Sequence, residues 1–240
     1  MKMRLDRLMV DRGLAESREK AQALIMAGQV RVNGQKAAKP GQNVDGAAVV
    51  EVLARPPYVS RGGFKLAGAL RHWGIDVRGA VCVDIGSSTG GFTDVLLQAG
   101  AARVHAVDVG VGQLDWKLRT DARVVPHEGI NAREISRSEI GEPAALVTCD
   151  VSFISVTLIL PAAALLLQPD GRMIILVKPQ FEVGRGQVGK GGIVREPELH
   201  RAACDRVEGA VRQLDFETEL IESPLPGAEG NKEFLLYAHH

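Results

Sequence analysis

Paired cysteines are missing from this chain. Its three, Cys82, Cys149 and Cys204, are odd in number and far apart, so they offer neither a disulfide framework nor a metal-ligand spacing. Cys82 and Cys149 fall in stretches that read as buried strands, where cysteine serves as a small hydrophobe. The expectation is a reducing, cytoplasmic compartment and no bound metal. Net charge is missing too: 29 Lys and Arg balance 29 Asp and Glu, which argues against a protein that coats nucleic acid indiscriminately. The charge is unevenly placed, however. Residues 1–60 carry ten Lys or Arg against six Asp or Glu, an excess of four positive charges that the remainder cancels. A basic front on a mildly acidic body suggests that the front meets a polyanion. The charged N-terminus gives no signal-peptide pattern. The longest uncharged stretch, residues 151–169, is interrupted by Ser152, Ser155, Thr157 and Pro161. A strand end followed by an amphipathic helix is expected there, not a membrane span.

What is present is enough for one large core and a small module in 240 residues. The front opens with a helix from Arg4, apolar at Leu5, Leu8 and Met9, and broken at Gly13. Ser17 caps a second helix that stops at Gly28. Val30-Arg31-Val32 reads as a strand, Asn33-Gly34 as a hairpin turn, and the residues around 49–52 as a returning strand. Arg4, Arg7, Arg18, Lys20, Arg31 and Lys36 are the cations expected to face phosphates, which they would neutralise without reading sequence. Residues 54–60 contain Pro56 and Pro57 and read as a linker.

The larger part is organised around Val81-Cys82-Val83-Asp84-Ile85-Gly86-Ser87-Ser88-Thr89-Gly90-Gly91-Phe92. An apolar run with one acid, ending in glycines, is a buried strand that feeds a loop able to approach a ligand closely. Twenty-two residues past Gly86, a second strand ends in Asp108, placed to accept from a ribose diol. From there strands and helices alternate: strands 81–85, 103–108, 123–126, 144–149 and 172–178, with helices 92–99, 113–119, 155–167 and 195–213. Strands 216–222 and 233–238 have only Ser223-Pro224-Leu225-Pro226-Gly227 near their junction and should pair antiparallel. The pattern predicts an α/β fold: a doubly wound, Rossmann-like, mostly parallel sheet with an antiparallel C-terminal hairpin, behind a small α+β domain.

Ligands in such sheets lie beyond the carboxyl ends of the strands. Those ends carry Gly86, Asp108, Asp150 and Lys178, and beyond the third strand Gly129-Ile130-Asn131-Ala132 could line an adenine edge. Gly184-Arg185-Gly186-Gln187-Val188-Gly189-Lys190-Gly191 nearly fits a phosphate loop, but Gly191 replaces the hydroxyl that would bind magnesium. A glycine-rich lid over the cleft is the expectation. The glycine spacing after Gly86 is not G-x-G-x-x-G, which disfavours a nicotinamide or flavin cofactor.

The order Arg-Leu-Asp, Ser-Arg, Gly-x-Val-x-Val-Asn-Gly, Lys-Pro-Gly resembles the S-four type RNA-binding domain over about residues 3–53. Residues 61–240 resemble the FtsJ-like methyltransferases. With Ser60-Arg61-Gly62-Gly63-Phe64-Lys65-Leu66, Cys149-Asp150-Val151-Ser152-Phe153-Ile154-Ser155, Val177-Lys178-Pro179-Gln180-Phe181-Glu182 and Asn231-Lys232-Glu233-Phe234-Leu235, almost the whole chain is similar to the TlyA family of haemolysin-A-like ribosomal RNA 2′-O-methyltransferases. The resemblance implies S-adenosyl-L-methionine as methyl donor, a Lys-Asp-Lys-Glu tetrad on Lys65, Asp150, Lys178 and Glu233, and a ribosomal RNA ribose, of cytidine, as acceptor, on free RNA or on ribosomal subunits. The donor's contacts are then expected at Gly86, Ser87, Ser88, Thr89, Gly90, Gly91, Phe92, Asp108, Val109, Asn131, Ala132 and Asp150. Three other readings stand beside it: an RNA-binding assembly factor with a non-catalytic methyltransferase fold, a membrane-active haemolysin-like protein, and a dehydrogenase.

Overall fold

The computed structural model describes residues 2–53, 57–227 and 230–240, with the side chain of Arg185 excepted. Its contacts divide the chain into two compact units, Met1–Pro57 and Tyr58–His240. Of the expected linker, Ala54, Arg55 and Pro56 lie outside the described residues. Tyr58, Val59 and Ser60 are packed into the larger unit: Val59 N–H donates to Asp94 Oδ2 (2.9 Å) and the Tyr58 ring meets Phe64 edge-on.

The first unit runs β1 (Lys2–Arg4), α1 (Leu5–Asp11), α2 (Arg18–Met26), β2 (Val30–Val32), β3 (Gln35–Lys36), β4 (Asn43–Asp45) and β5 (Val50–Val52). Strand β1, where a helix start was expected, pairs antiparallel with β4, and β2 pairs with both β3 and β5. Asn33 and Gly34 both take positive φ at the β2–β3 turn, the backbone that an Asn-Gly hairpin requires. Ser17 Oγ accepts from Lys20 N–H and so caps α2. Leu5, Leu8, Met9, Ala21, Ile25 and Val30 close the core.

Within that core Asp6 is fully buried. Arg4 donates to both its oxygens (3.0 and 2.7 Å), Gln22 and Arg18 to Oδ2 (2.9 and 3.2 Å). The Arg4 guanidinium, seconded by Gln22 and Arg18 against the cost of burial, holds the carboxyl well below the usual carboxylate range.

The larger unit is a seven-stranded sheet. In chain order come α3 (Gly62–His72), β6 (Val81–Ile85), α4 (Gly91–Gln98), β7 (Arg103–Asp108), α5 (Trp116–Arg119), β8 (Val124–Glu128), α6 (Arg137–Ile140) and β9 (Ala144–Cys149). Then follow α7 (Leu160–Leu165), β10 (Leu167–Val177), α8 (Pro179–Glu182), α9 (Pro197–Arg212), β11 (Glu217–Glu222) and β12 (Phe234–His239). The strand order is β11-β12-β10-β9-β6-β7-β8. Strands β6 to β10 run parallel. β12 is antiparallel to both its neighbours, so it alone is reversed and forms the expected hairpin with β11. The order in which strands are added reverses at β6, which is flanked by β9 on one side and β7 on the other. That parting is where a doubly wound sheet opens a crevice.

Strand periodicity sorts the core onto two faces. Val83, Ile85, Val147, Cys149, Ile175 and Leu236 face α7 and α9, through Leu160, Ala163, Cys204 and Val207. Cys82, Leu146, Ile174, Leu176 and Leu235 face α3 and α4, through Leu66, Ala69, Val95 and Leu96. All three cysteines are buried, and burial pushes the Cys82 and Cys204 thiols up to about 12.

Two helical expectations change. The helix expected over 113–119 shrinks to α5, begun by Asp115 accepting from Lys117 N–H, because Gly110 and Gly112 put the preceding residues into turns tied to Asp108 and Glu128. The helix expected over 155–167 divides into a 3₁₀ turn, Val156–Leu158, and α7 with Pro161 in its first turn, where its missing N–H is harmless. The chain then enters β10 five residues early, with an irregularity between Leu167 and Arg172. The short helices α6 and α8 were not anticipated; a Ser136–Glu139 capping box starts the first.

Replacing Asp6 with Ala is expected to destabilise the first unit by about 1.5–3 kcal/mol, read as faster hydrogen exchange in α1 and α2 of the intact chain. The carboxyl is depressed in the folded state. Its contribution is therefore present above the ordinary value of ~3.9 and lost as pH falls below it.

Candidate active site

Five strand ends and one helix build the site. Beyond β6 the chain turns at Gly86, whose φ is +82° and where a Cβ would lie 2.3 Å from the Asp150 carbonyl oxygen. Only glycine lets the first loop pass so close to the loop after β9. Gly86 and Ser87 N–H both donate to Val107 O (2.9 and 3.1 Å), and Asp150 N–H donates to Ile85 O (2.9 Å). Beneath the turn lies Asp84, fully buried, accepting from Thr93 Oγ1 (2.6 Å) and Thr148 Oγ1 (2.9 Å). Burial pushes its carboxyl up to about 6, against the pull of the two hydroxyls.

Two cavities flank this turn and share Gly86, Ser88, Asp150 and Ser152. The larger, about 520 Å³, is walled by Val107, Val109, Ile130, Val151, Ile154 and Ile159, and has Asp108, Gln113, Asn131, Ala132 and Arg133 as its polar or small lining. Asp108 is held by the turn itself: Oδ2 accepts from Ser88 N–H and Oδ1 from Gly110 N–H, both at 2.7 Å. Each oxygen keeps a lone pair for another donor. An apolar slot with a fixed carboxylate at its edge suits a nucleoside.

The smaller cavity, about 230 Å³, is lined by Ser60, Gly62, Lys65, residues 86–89, Gly91, Phe92, Asp150, Ser152 and Lys178. Lys65 comes from α3 and reaches the cavity because α3 and α4 begin in close contact: a Cβ on Gly91 would lie 2.2 Å from Ser60 Oγ and 3.0 Å from Gly63 N. Its ammonium pairs with Glu233, both side chains being buried. Glu233 packs so tightly on Gly227 that a Cβ there would meet its Oε1 at 1.9 Å. Lys178, at the end of β10, sits 2.6 Å from Asp150 Oδ1 as an ion pair and donates to Ser152 Oγ at 2.9 Å. Three of the four tetrad candidates thus line one cavity, and Glu233 stands behind Lys65 rather than on its wall.

Of the expected donor contacts, Gly86, Ser87, Ser88, Thr89, Gly91, Phe92, Asp108, Val109, Asn131, Ala132 and Asp150 line one cavity or the other. Gly90 does not. It takes φ +96° as the cap of α4, and a Cβ there would strike Leu118 at 2.2 Å and Leu114 at 2.8 Å. Its glycine serves packing, whereas Gly91 serves the helix contact. The expected lid, residues 184–191, is closed by Gly189 N–H donating to Ile193 O, while Asn231 holds the chain just past it by accepting from Val194 N–H and donating to Gly192 O.

Sequence reasoning passed over Ser60, Ser152 and Phe153. The two serines sit inside the motifs quoted above, yet nothing in their spacing marks them as polar lining. Phe153 has a φ of +67° and is 92% exposed, with its ring 5.4 Å from Phe181. A bulky residue held in left-handed backbone and turned to solvent is strained.

In the first unit the six expected phosphate contacts divide. Arg4 and Arg18 turn onto Asp6, Arg7 pairs with Asp11 and Lys20 with Glu16. Arg31 and Lys36 stand opposite one another across β2 and β3 and have no ion partner among the described residues. Also among those residues, no group of three or more His, Cys, Asp or Glu could hold a metal, and no helix is long and apolar enough to cross a membrane.

A reversed final strand in an otherwise parallel sheet, and a nucleoside slot at its switch point, define a Rossmann-like methyltransferase. Solved structures share this fold at low identity. One is an O-methyltransferase from Bacillus cereus in complex with SAH, 16% identical with a TM-score of 0.53 over 78% of this chain and 84% of that one. A family model for FtsJ-like methyltransferases matches residues 58–240 and one for the S4 domain matches residues 3–50. The chain is 46% identical, over 98% of its length and 88% of the relative's, to the 16S/23S rRNA (cytidine-2′-O)-methyltransferase TlyA of Mycobacterium tuberculosis. A candidate hemolysin of known structure from Streptococcus thermophilus is 44% identical with a TM-score of 0.76, covering 99% of this chain and 88% of that one. The chain belongs to the TlyA branch of the FtsJ-like methyltransferases, with an S4 domain in front.

Replacing Gly86 with Ala is expected to force the loops after β6 and β9 apart and to abolish binding of a nucleoside-containing ligand, measured by calorimetry with SAH. Wild-type affinity in that variant would contradict the packing described.

Proposed function

We propose that the protein transfers a methyl group from S-adenosyl-L-methionine to a ribose 2′-hydroxyl of ribosomal RNA, with cytidine as the target nucleoside. Ribosomal RNA or a ribosomal subunit in the cytoplasm is its partner. The observation that carries the reading is the sharing of Gly86, Ser88, Asp150 and Ser152 between a nucleoside slot and a cavity lined by two lysines. The chain fits the donor. Asp108 would accept from its ribose hydroxyls, Val109, Ile130 and Ile154 would flank its adenine beside Asn131 and Ala132, and the loop of residues 86–92 would hold its methionine part. When bound, that donor supplies an electrophilic methyl group on a sulfonium.

A ribose hydroxyl is a poor nucleophile and needs a base within hydrogen-bond reach. Lys178 is the base: once its ammonium has released a proton to water, Nζ takes the 2′-hydroxyl proton. Asp150 and Ser152 fix the direction of that nitrogen. Lys65, anchored by Glu233, donates toward the same oxygen and steadies the charge that develops on it. Asp150 faces both cavities and links the donor's seat to the base. The exposed ring of Phe153 offers a stacking face to an unstacked base, the usual way in which proteins hold single nucleotides of RNA. The S4 domain supplies affinity for phosphate without reading sequence.

Replacing Lys178 with Ala is expected to lower methyl transfer to a ribosomal RNA fragment by at least about a thousandfold while calorimetric affinity for the donor is kept. Turnover at the wild-type rate would sink the assignment of the base. A wild-type protein that binds RNA and never turns over would favour an assembly factor. In the first unit, Arg31→Ala and Lys36→Ala are each expected to weaken RNA binding and to reduce the slope of log affinity against log salt by about 1, read by fluorescence anisotropy over a salt series.

A further inference from the structure

The loop after β9 and the end of β10 run side by side and touch at three successive levels. At the first, Lys178 meets Asp150 and Ser152. At the second, the rings of Phe181 and Phe153 lie 5.4 Å apart. At the third, Glu182 Oε1 accepts from Val156 N–H at 2.8 Å and Oε2 from Ser155 Oγ at 2.5 Å. The first two levels belong to the groups assigned above to base and nucleobase. The third has had no part in any of it.

Glu182 is only 3% exposed, and among the described residues it has no cation within ion-pair distance. Arg206 spends its Nη1 on the Glu182 backbone carbonyl, at 2.9 Å. Burial pushes the Glu182 carboxyl up, with Ser155, Val156 and the charge of Arg206 opposing. A buried carboxylate without an ion pair is costly, and a helix end can be capped by a neutral side chain of its own chain. Ser155 already does this: its Oγ accepts from Thr157 N–H at 3.3 Å. The carboxylate must therefore do something that Ser155 cannot do alone. It reaches from α8 to the point where the loop 150–155 ends and the turn Val156–Leu158 starts. A two-oxygen acceptor at that point sets both the height and the rotation of the loop relative to β10.

We infer that Glu182 is a positioning residue for methyl transfer: by holding Ser155 and Val156 against α8, it sets Asp150, Ser152 and Phe153 in register with Lys178. It touches neither donor nor acceptor and acts through the loop. The donor's far contacts, Asp108, Asn131 and Ala132, lie on other strand ends and are outside its reach. A misplacement of about 1 Å in a catalytic group can cost about a hundredfold in rate, so the consequence is kinetic and local.

The inference rests on the methyl-transfer reading, and the test separates the two. Wild-type protein, Glu182→Ala and Glu182→Gln are compared for kcat and KM on a ribosomal RNA fragment, for SAH affinity by calorimetry, and for hydrogen exchange at Val156. The Glu182→Ala variant is expected to lose about ten- to a hundredfold in kcat and to exchange the Val156 amide at least tenfold faster, with SAH affinity weakened by much less than kcat, since Asp150 and Ile154 of the same loop also wall the donor slot. The Glu182→Gln variant, whose amide oxygen still accepts from Val156 N–H, is expected to recover kcat to within about fivefold. Wild-type kcat in Glu182→Ala, a parallel collapse of SAH binding, or an unchanged Val156 exchange rate would each overturn the inference. A Glu182→Gln variant as slow as Glu182→Ala would overturn it too. A wild-type protein inactive on RNA would instead defeat the methyl-transfer reading, and the exchange and SAH arms would still decide whether Glu182 holds the loop.

Discussion

Everything in the larger unit depends on how closely Gly86 passes the Asp150 carbonyl. The two loops leave adjacent parallel strands, β6 and β9, and a single added carbon at Gly86 would stand 2.3 Å from that oxygen. Because the approach is so close, one carboxylate, Asp150, borders both cavities. On one side its loop helps to wall the nucleoside slot; on the other its side chain meets Lys178. A fold that separated these loops by another ångström would keep both cavities and lose the group that joins them. The buried Asp84 and its two threonines support the same turn from below, and their hydrogen bonds offset the cost of burying a carboxyl there.

The site is organised by pairs rather than by single residues. Lys65 holds Glu233, Lys178 holds Asp150 and Ser152, and Asp108 holds the amides of Ser88 and Gly110. A functional group fixed by a partner is already oriented before a ligand arrives, which is how a catalytic constellation avoids reorganisation during the reaction. The first unit shows the same economy in a different use. There the pairs around Asp6 build a core, and of the six cations expected to face phosphates, Arg31 and Lys36 have no ion partner among the described residues and are the ones proposed to meet a polyanion.

Much of this was legible beforehand, and for stated reasons. The apolar run ending at Gly86, the acid at Asp108 and the lysine at Lys178 are all strand ends, and strand ends are readable from alternation and punctuation. Strand positions accordingly fell within a residue or two for most of the sheet. Helices were read less well, because α5, α7 and α8 are short and bounded by interactions with distant residues or by a proline. Gly90 and Gly91 are adjacent and look equivalent in a glycine-rich loop. Only packing tells them apart: one abuts Leu118, the other Ser60.

What the sequence by itself determined is the alternation of strand and helix, the reversed last strand, and the identities of the residues at the strand ends. These follow from side-chain periodicity and from the backbone that glycine and proline allow, both local properties. The family resemblance, rather than spacing, nominated Glu233 and Lys65. Tertiary structure decided which residues share a wall. Ser152 became a partner of Lys178 and Phe153 an exposed, strained ring. Glu182, 32 residues past Asp150, became the residue that closes on the Asp150 loop. No local rule can announce such contacts, because they arise only when two parallel strands, distant along the chain, are laid side by side and their loops compete for the same space.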